Sequence, residues 1–123
     1  MLSSSKVKIG RHGEAHAALF LQNHGYKILA RNYTVRGGEI DIIARNAETL
    51  VFVEVKSCRT KSFGEPETWV DERKQQRIGA AANRYLAEQD IENLDCRFDV
   101  ITVDFSQNPP FINHLIDAFW LQE

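Results

Sequence analysis

The chain has 123 residues, 43% hydrophobic and 26% charged, with 15 basic and 17 acidic side chains for a net charge of −2. That is one domain's worth of chain, with a core within reach. The near-neutral balance excludes a bulk basic coat for nucleic acid but not a local basic patch. No apolar run approaches the roughly 20 residues needed to span a bilayer, and residues 1–11 lack the apolar core of a secretory signal. Cys58 and Cys96 form neither a CxxC pair nor a disulfide framework. Together these features predict a cytoplasmic protein with reduced thiols and no membrane partner.

The charge is unevenly spread. Residues 1–38 hold six bases and one acid, residues 39–85 eight of each, and residues 86–123 eight acids and one base, Arg97. The net values are +5, 0 and −7. An acidic C-terminal end repels DNA, so any nucleic acid is expected from the side of the two helices.

Residues 1–8, with Ser3–Ser5 beside Lys6 and Lys8, read as a flexible leader, and 9–123 as a single domain. Helical spacing of Ala15, Ala18, Leu19 and Leu21 predicts a helix from about Gly10 to Asn23, stopped by Gly25 at C′. Tyr26–Tyr33 reads as a strand. After Gly37-Gly38 come two further strands, Glu39–Ile43 and Leu50–Lys56, joined by a hairpin turn within Arg45–Thr49. Asp71 is a plausible N-cap for a helix to about Glu88, with Lys74, Ile78, Ala81 and Tyr85 in helical register. Arg97–Val103 is a strand, Pro109-Pro110 breaks the chain, and Phe111–Ile116 is expected at a sheet edge. The order α-β-β-β-α-β-β predicts an α/β fold with a mixed sheet flanked by helices.

Side chains alternate faces along a strand. Glu39 and Asp41 are therefore expected on one face, with Ile40 and Ile42 on the other. Both faces of Leu50–Val53 are apolar, as in a strand buried at the centre of a sheet. Glu54 and Lys56 stand on one face at its exit. If Ile42 and Val53 share a core, hairpin parity brings Asp41 to the face of Glu54. Two carboxylates beside apolar walls are costly unless paired or bound to a cation. Hard oxygen donors suit Mg2+ or Mn2+, and Lys56 can orient or deprotonate a water or stabilise charge developing on a phosphate. The set suits metal-assisted phosphodiester hydrolysis. The competing reading is a solvated sheet face carrying a Glu–Lys pair.

The run Gly38-Glu39-Ile40-Asp41, a short hairpin, then Val53-Glu54-Val55-Lys56 resembles the PD-(D/E)xK nuclease pattern. With Gly13-Glu14, Gly25-Tyr26, Arg31-Asn32-Tyr33, Phe63-Gly64, Arg77-Ile78, Arg97–Val100 and Asp117-Ala118-Phe119, nearly the whole chain resembles the YraN-like bacterial proteins, relatives of archaeal Holliday junction resolvases. The resemblance implies a restriction-endonuclease-like fold, Asp41 and Glu54 as metal ligands, Lys56 as the catalytic lysine and Glu14 as a further, often water-mediated, ligand. Gln75 or Gln76 matches a polar residue near the site in some relatives. The pattern's Pro is replaced by Ile40, which alters backbone shape rather than chemistry. Related resolvases act as dimers, which implies a homodimer here.

Arg59, Lys61, Lys74, Arg77 and Arg84 are candidates to grip phosphates, against an ordinary solvated helix face. No base-reading motif is present, so structure-selective binding of nucleic acid, DNA first, or no binding at all, is expected over sequence-specific recognition. Other motifs fall away. His12 and His16 have i, i+4 spacing but not the HExxH order, and the Pro-Cys-x-x-Cys that accompanies His-x-Glu in zinc deaminases is missing. There is no GxxxxGK phosphate loop. Cys58 reads as a bystander thiol, Trp69, Tyr85 and Trp120 as packing residues, and His24 and His114 as surface or interface residues. The sequence thus favours a metal-dependent endonuclease, with a non-catalytic nucleic-acid-binding or assembly module of the same fold, or a protein-interaction domain, as rivals.

Overall fold

The computed structural model describes residues 4–59, 64 and 69–120. Its elements are α1 (Ser4–Asn23), β1 (Lys27–Val35), β2 (Gly38–Asn46), β3 (Thr49–Cys58), α2 (Glu72–Glu88), β4 (Asp95–Asp104) and β5 (Phe111–Leu115). This is the expected order, and the α/β fold with its mixed sheet is as expected. α1 begins before Gly10 because residues 4–9 include good helix formers but no apolar stripe to mark them. Lys61 and the first three residues of the expected leader lie outside the described residues.

The five strands are ordered β1-β2-β3-β4-β5. β1–β2, β2–β3 and β4–β5 pair antiparallel, while β3–β4 pair parallel. A parallel pair needs a crossover, and α2 supplies it. β3 lies at the centre, as its two apolar faces require, and β5 at an edge. Val51 and Val53 join Ala17, Leu21, Ile42 and Ile101 in a core beneath α1. Leu50 and Phe52 join Ile43, Ile78, Ala81 and Val100 in a second core beneath α2.

Local signals fix one end of each helix. Gly25 sits at φ 87° as the C′ residue of α1. The Gly25 N–H donates to Gln22 O and the Tyr26 N–H to Leu21 O, the paired bonds of a Schellman stop. At the start of α2 the Asp71 carboxylate accepts from Lys74 N at 2.8 Å, which fixes where the Lys74 side chain leaves the helix.

One expectation about β2 is corrected. Ile42 and Ala44 face the α1 core, but Ile40 lies in the α2 core with Ile43. Ile40 and Ile42 therefore sit on opposite sides of the sheet. The β2–β3 ladder ends at Ile42–Val53, while β1 continues to pair with β2 as far as Val35–Gly38. Freed from β3, the strand end twists with β1 and its backbone closes on α2. A Cβ added at Gly38 would lie 2.1 Å from the Arg77 carbonyl oxygen, so this approach requires glycine. Asp41 stands at the point where alternation breaks.

Candidate metal centre

β3 carries Glu54 out of the apolar core at the end of its α2 face, and only 8% of the residue remains exposed. The break in β2 places Asp41 one position beyond the last ladder pair, opposite Glu54. The Val55 N–H, which a continued ladder would satisfy, donates instead to Asp41 Oδ2 at 2.8 Å. The Asp41 and Glu54 carboxyl groups are in hydrogen-bonding contact. Glu14 approaches from α1, within hydrogen-bonding reach of both Asp41 and Asn32. Gly13 permits this approach, since a Cβ there would fall 1.8 Å from Ser57 Oγ on β3. Asn32 has a left-handed backbone, φ 51°, a conformation asparagine tolerates better than most residues.

Three carboxyl groups thus meet where β2 leaves β3, and their electrostatics reflect it. Burial first, and the neighbouring Asp41 second, push Glu54 up to about 7 despite the opposing pull of Lys74. Burial and Asp41 also push Glu14 up to about 7, against Asn32 and Arg31. Burial raises Asp41 above the ordinary carboxylate range, opposed by the Val55 N–H and by Lys74. Mutual repulsion in a partly dry site keeps protons on the cluster.

One lysine is paired with it, and a second lies farther along β3. Lys74 Nζ forms an ion pair with Glu54 Oε1, and about half of its side chain remains exposed. Burial opposes its charge, but the Glu54 hydrogen bond and the surrounding carboxylates raise its pKa above the ordinary lysine value. Lys56 is half-buried two residues beyond Glu54 on the same side of the strand. Of the residues singled out as phosphate contacts, Arg77 lies 3.8 Å from Glu39, Arg84 pairs with Glu88 at 2.8 Å and Arg59 is exposed beyond β3. Gln75 donates to Val70 O at 2.9 Å, and Gln75 and Gln76 both line the groove between α2 and β4. That groove, about 1180 Å³ and bordered by Phe98 and Trp120, contains none of the three carboxylates.

The donor set fits a hard divalent cation. Mg2+ is commonly held by one or two carboxylates and completed by waters, and here Lys74 is the one side-chain cation in an ion pair with the carboxylates among the described residues. Among the described residues, no three His, Cys, Asp or Glu side chains form a ready-made cage; Lys74 holds Glu54 and Val55 holds Asp41. The histidines of α1 offer no rival centre, since His12 is exposed and His16 packs edge-on against Phe105. The Cys58 thiol is pushed up by burial, which disfavours a thiolate nucleophile.

The model of the Uncharacterised protein family UPF0102 matches residues 13–103. The chain belongs to this family. The matched span of the UPF0102 chain runs from Gly13, where α1 meets β3, to Val103 in β4. It holds Glu14, Asp41, Glu54, Lys56 and Lys74 but not β5. Similar proteins include a UPF0102 protein of Geobacter metallireducens, 44% identical over 120 residues and 98% of each chain. Another, from Chlorobium chlorochromatii, is 45% identical over 98% of this chain and 97% of its own. A third, from Nocardia farcinica, is 46% identical over 93% of this chain and 91% of its own.

Sequence reasoning missed a second polar cluster. Asp99 is fully buried, yet Arg97 Nε and Nη2 each donate to it at 2.9 Å and the Asp117 N–H donates at 2.9 Å. His114 Nε2 lies 2.7 Å from Asp99 Oδ2, and Arg97 Nη2 donates to the Tyr26 hydroxyl at 2.7 Å. His114, expected at the surface or an interface, buttresses a buried carboxylate inside the fold: the β4–β5 register pairs it with Ile101, two residues along β4 from Asp99. Burial opposes the Asp99 charge, but the His114 and Arg97 hydrogen bonds hold its pKa below the ordinary value. Every oxygen of this network is engaged, so it reads as a structural tie of β5 and the following turn to β4. No helix of the described residues is long and apolar enough to cross a membrane.

Proposed function

We propose that this UPF0102 chain is a metal-dependent endonuclease that hydrolyses DNA phosphodiester bonds, selective for branched or damaged DNA. The observation that carries the reading is the meeting of Asp41, Glu54 and Glu14 where β2 leaves β3; Lys56 follows two residues beyond Glu54 on β3. Asp41 and Glu54 would hold Mg2+ or Mn2+, with Glu14 assisting. When bound, such a cation lowers the pKa of a water and offsets charge on the phosphate oxygens. Lys56 would orient the attacking water, accept its proton or stabilise the developing charge. Asn32 and the Val55 N–H hold Glu14 and Asp41 in place.

A four-way junction presents two scissile strands, so we propose action as a homodimer in the cytoplasm. The test is a nuclease screen over linear, flapped and four-way DNA with Mg2+ or Mn2+. Cleavage by the parent protein, abolished in Asp41→Ala and in Glu54→Ala while both stay folded, is expected. Unchanged cleavage in both variants would sink the proposal.

One observation favours a second reading, a non-catalytic nucleic-acid-binding or assembly module that keeps the fold. Glu54 already has a counter-charge in Lys74. Salt-sensitive DNA binding with no metal uptake at millimolar Mg2+ would select it.

A further inference from the structure

Lys74 is the one cation paired with Glu54 among the described residues, and its two ends differ. Its backbone is fixed, because Lys74 N donates to the Asp71 cap. Its side chain is a long flexible stem, 46% exposed, whose ammonium reaches a Glu54 side chain that is 9% exposed. Lys56 differs, rooted in a central strand two residues from Glu54. The head group of Lys74 can therefore exchange between the carboxylates and solvent without any backbone movement.

From this geometry we infer that Lys74 is the resident counter-cation of the Asp41–Glu54 pair, displaced when a divalent cation binds and so delivered to the phosphate of the nucleic acid. The inference rests on the metal reading above. A lone buried carboxylate pair is unfavourable, and the ammonium neutralises part of it while no metal is present. A divalent cation held by the same oxygens turns that attraction into like-charge repulsion. The released ammonium moves to the solvent side, from which a phosphate arrives. Arg77, one turn along α2 and 45% exposed, would flank it, since residues three apart on a helix share a face. Metal occupancy and phosphate affinity are then coupled through one side chain.

The test is calorimetric titration of magnesium into the full chain at pH 8, for the parent, Lys74→Met and Lys74→Arg, with thermal unfolding to establish that each is folded. Binding of a fluorescent four-way DNA is followed in EDTA and in calcium. Lys74→Met is expected to bind magnesium about tenfold more tightly, with Lys74→Arg within about twofold of the parent. Lys74→Met should match the parent on DNA in EDTA and bind about fivefold more weakly in calcium. Unchanged or weaker magnesium binding by Lys74→Met overturns the displacement alone. Equal loss of DNA affinity in EDTA and calcium, or no loss in either, overturns the coupling. No magnesium binding by any of the three overturns the metal reading and the displacement with it.

Discussion

The Val55 N–H donates to Asp41 Oδ2 at 2.8 Å, just where the β2–β3 ladder ends. The carboxylate does a backbone carbonyl's work at the point where β2 turns away from β3. Asp41 is thus both a structural cap and a member of the acidic cluster, and the two roles separate by substitution. Asp41→Asn keeps an oxygen for Val55 and removes the charge. It should be at least as stable as the parent at pH 8. Asp41→Ala leaves the N–H unpaired and should lose about 1 kcal/mol. Denaturant unfolding of the two variants measures the difference.

The raised carboxyl groups set a pH dependence. Glu14 and Glu54 titrate at about 7 in the folded chain, against an ordinary 4.5. Between those values the native state holds more protons than the unfolded chain. The unfolding free energy should therefore fall as pH rises from about 4.5 to about 7, then level off. Glu54 alone accounts for about 3 kcal/mol, and the more exposed Glu14 adds less. Glu54→Gln should flatten the curve, and a parent profile without this decline would contradict the electrostatics.

Two glycines make close contacts of different kinds. A Cβ at Gly13 meets the movable Ser57 side chain, while one at Gly38 meets the Arg77 and Ala81 backbone of α2. Gly13→Ala gains about 1 kcal/mol of helix propensity, but the clash should outweigh it, leaving a net loss of about 1 kcal/mol. Adding Ser57→Ala should recover part of that loss. Gly38→Ala should cost more, about 3 kcal/mol, with no such rescue. Thermal unfolding of the three variants ranks them.

The Asp99 network predicts a stability effect independent of metal. Asp99→Ala strands the Arg97 guanidinium against Tyr26 and should cost about 3 kcal/mol. Because the folded pKa of Asp99 is depressed, its stabilisation is present above the ordinary 3.8 and is lost as pH falls through the folded value. Magnesium should not restore the variant's unfolding midpoint.

Features fixed by nearby residues were legible in the sequence. The Asp71 cap, the Gly25 stop and the two apolar faces of β3 each follow from a few adjacent side chains, and they place Glu54 correctly. Hairpin parity also brought Asp41 to Glu54, although Ile40 does not keep the face that parity assigns. That flip depends on where the β2–β3 ladder ends, which no short stretch encodes. The Lys74–Glu54 pair joins α2 to β3 across the fold, and residues twenty apart carry no local signal of it. The His114–Asp99 contact needs the β4–β5 register. Asn32 was visible only as part of a resemblance, since its left-handed backbone has no local turn signature.

Asp41 and Glu54 are proposed to form a site for a divalent cation. Its most direct test is the heat of magnesium binding at pH 8, above the value near 7 at which Glu54 and Glu14 ionise. One site is expected in the parent chain, lost in both Asp41→Ala and Glu54→Ala. An identical binding heat in all three proteins, or none in the parent, would contradict it.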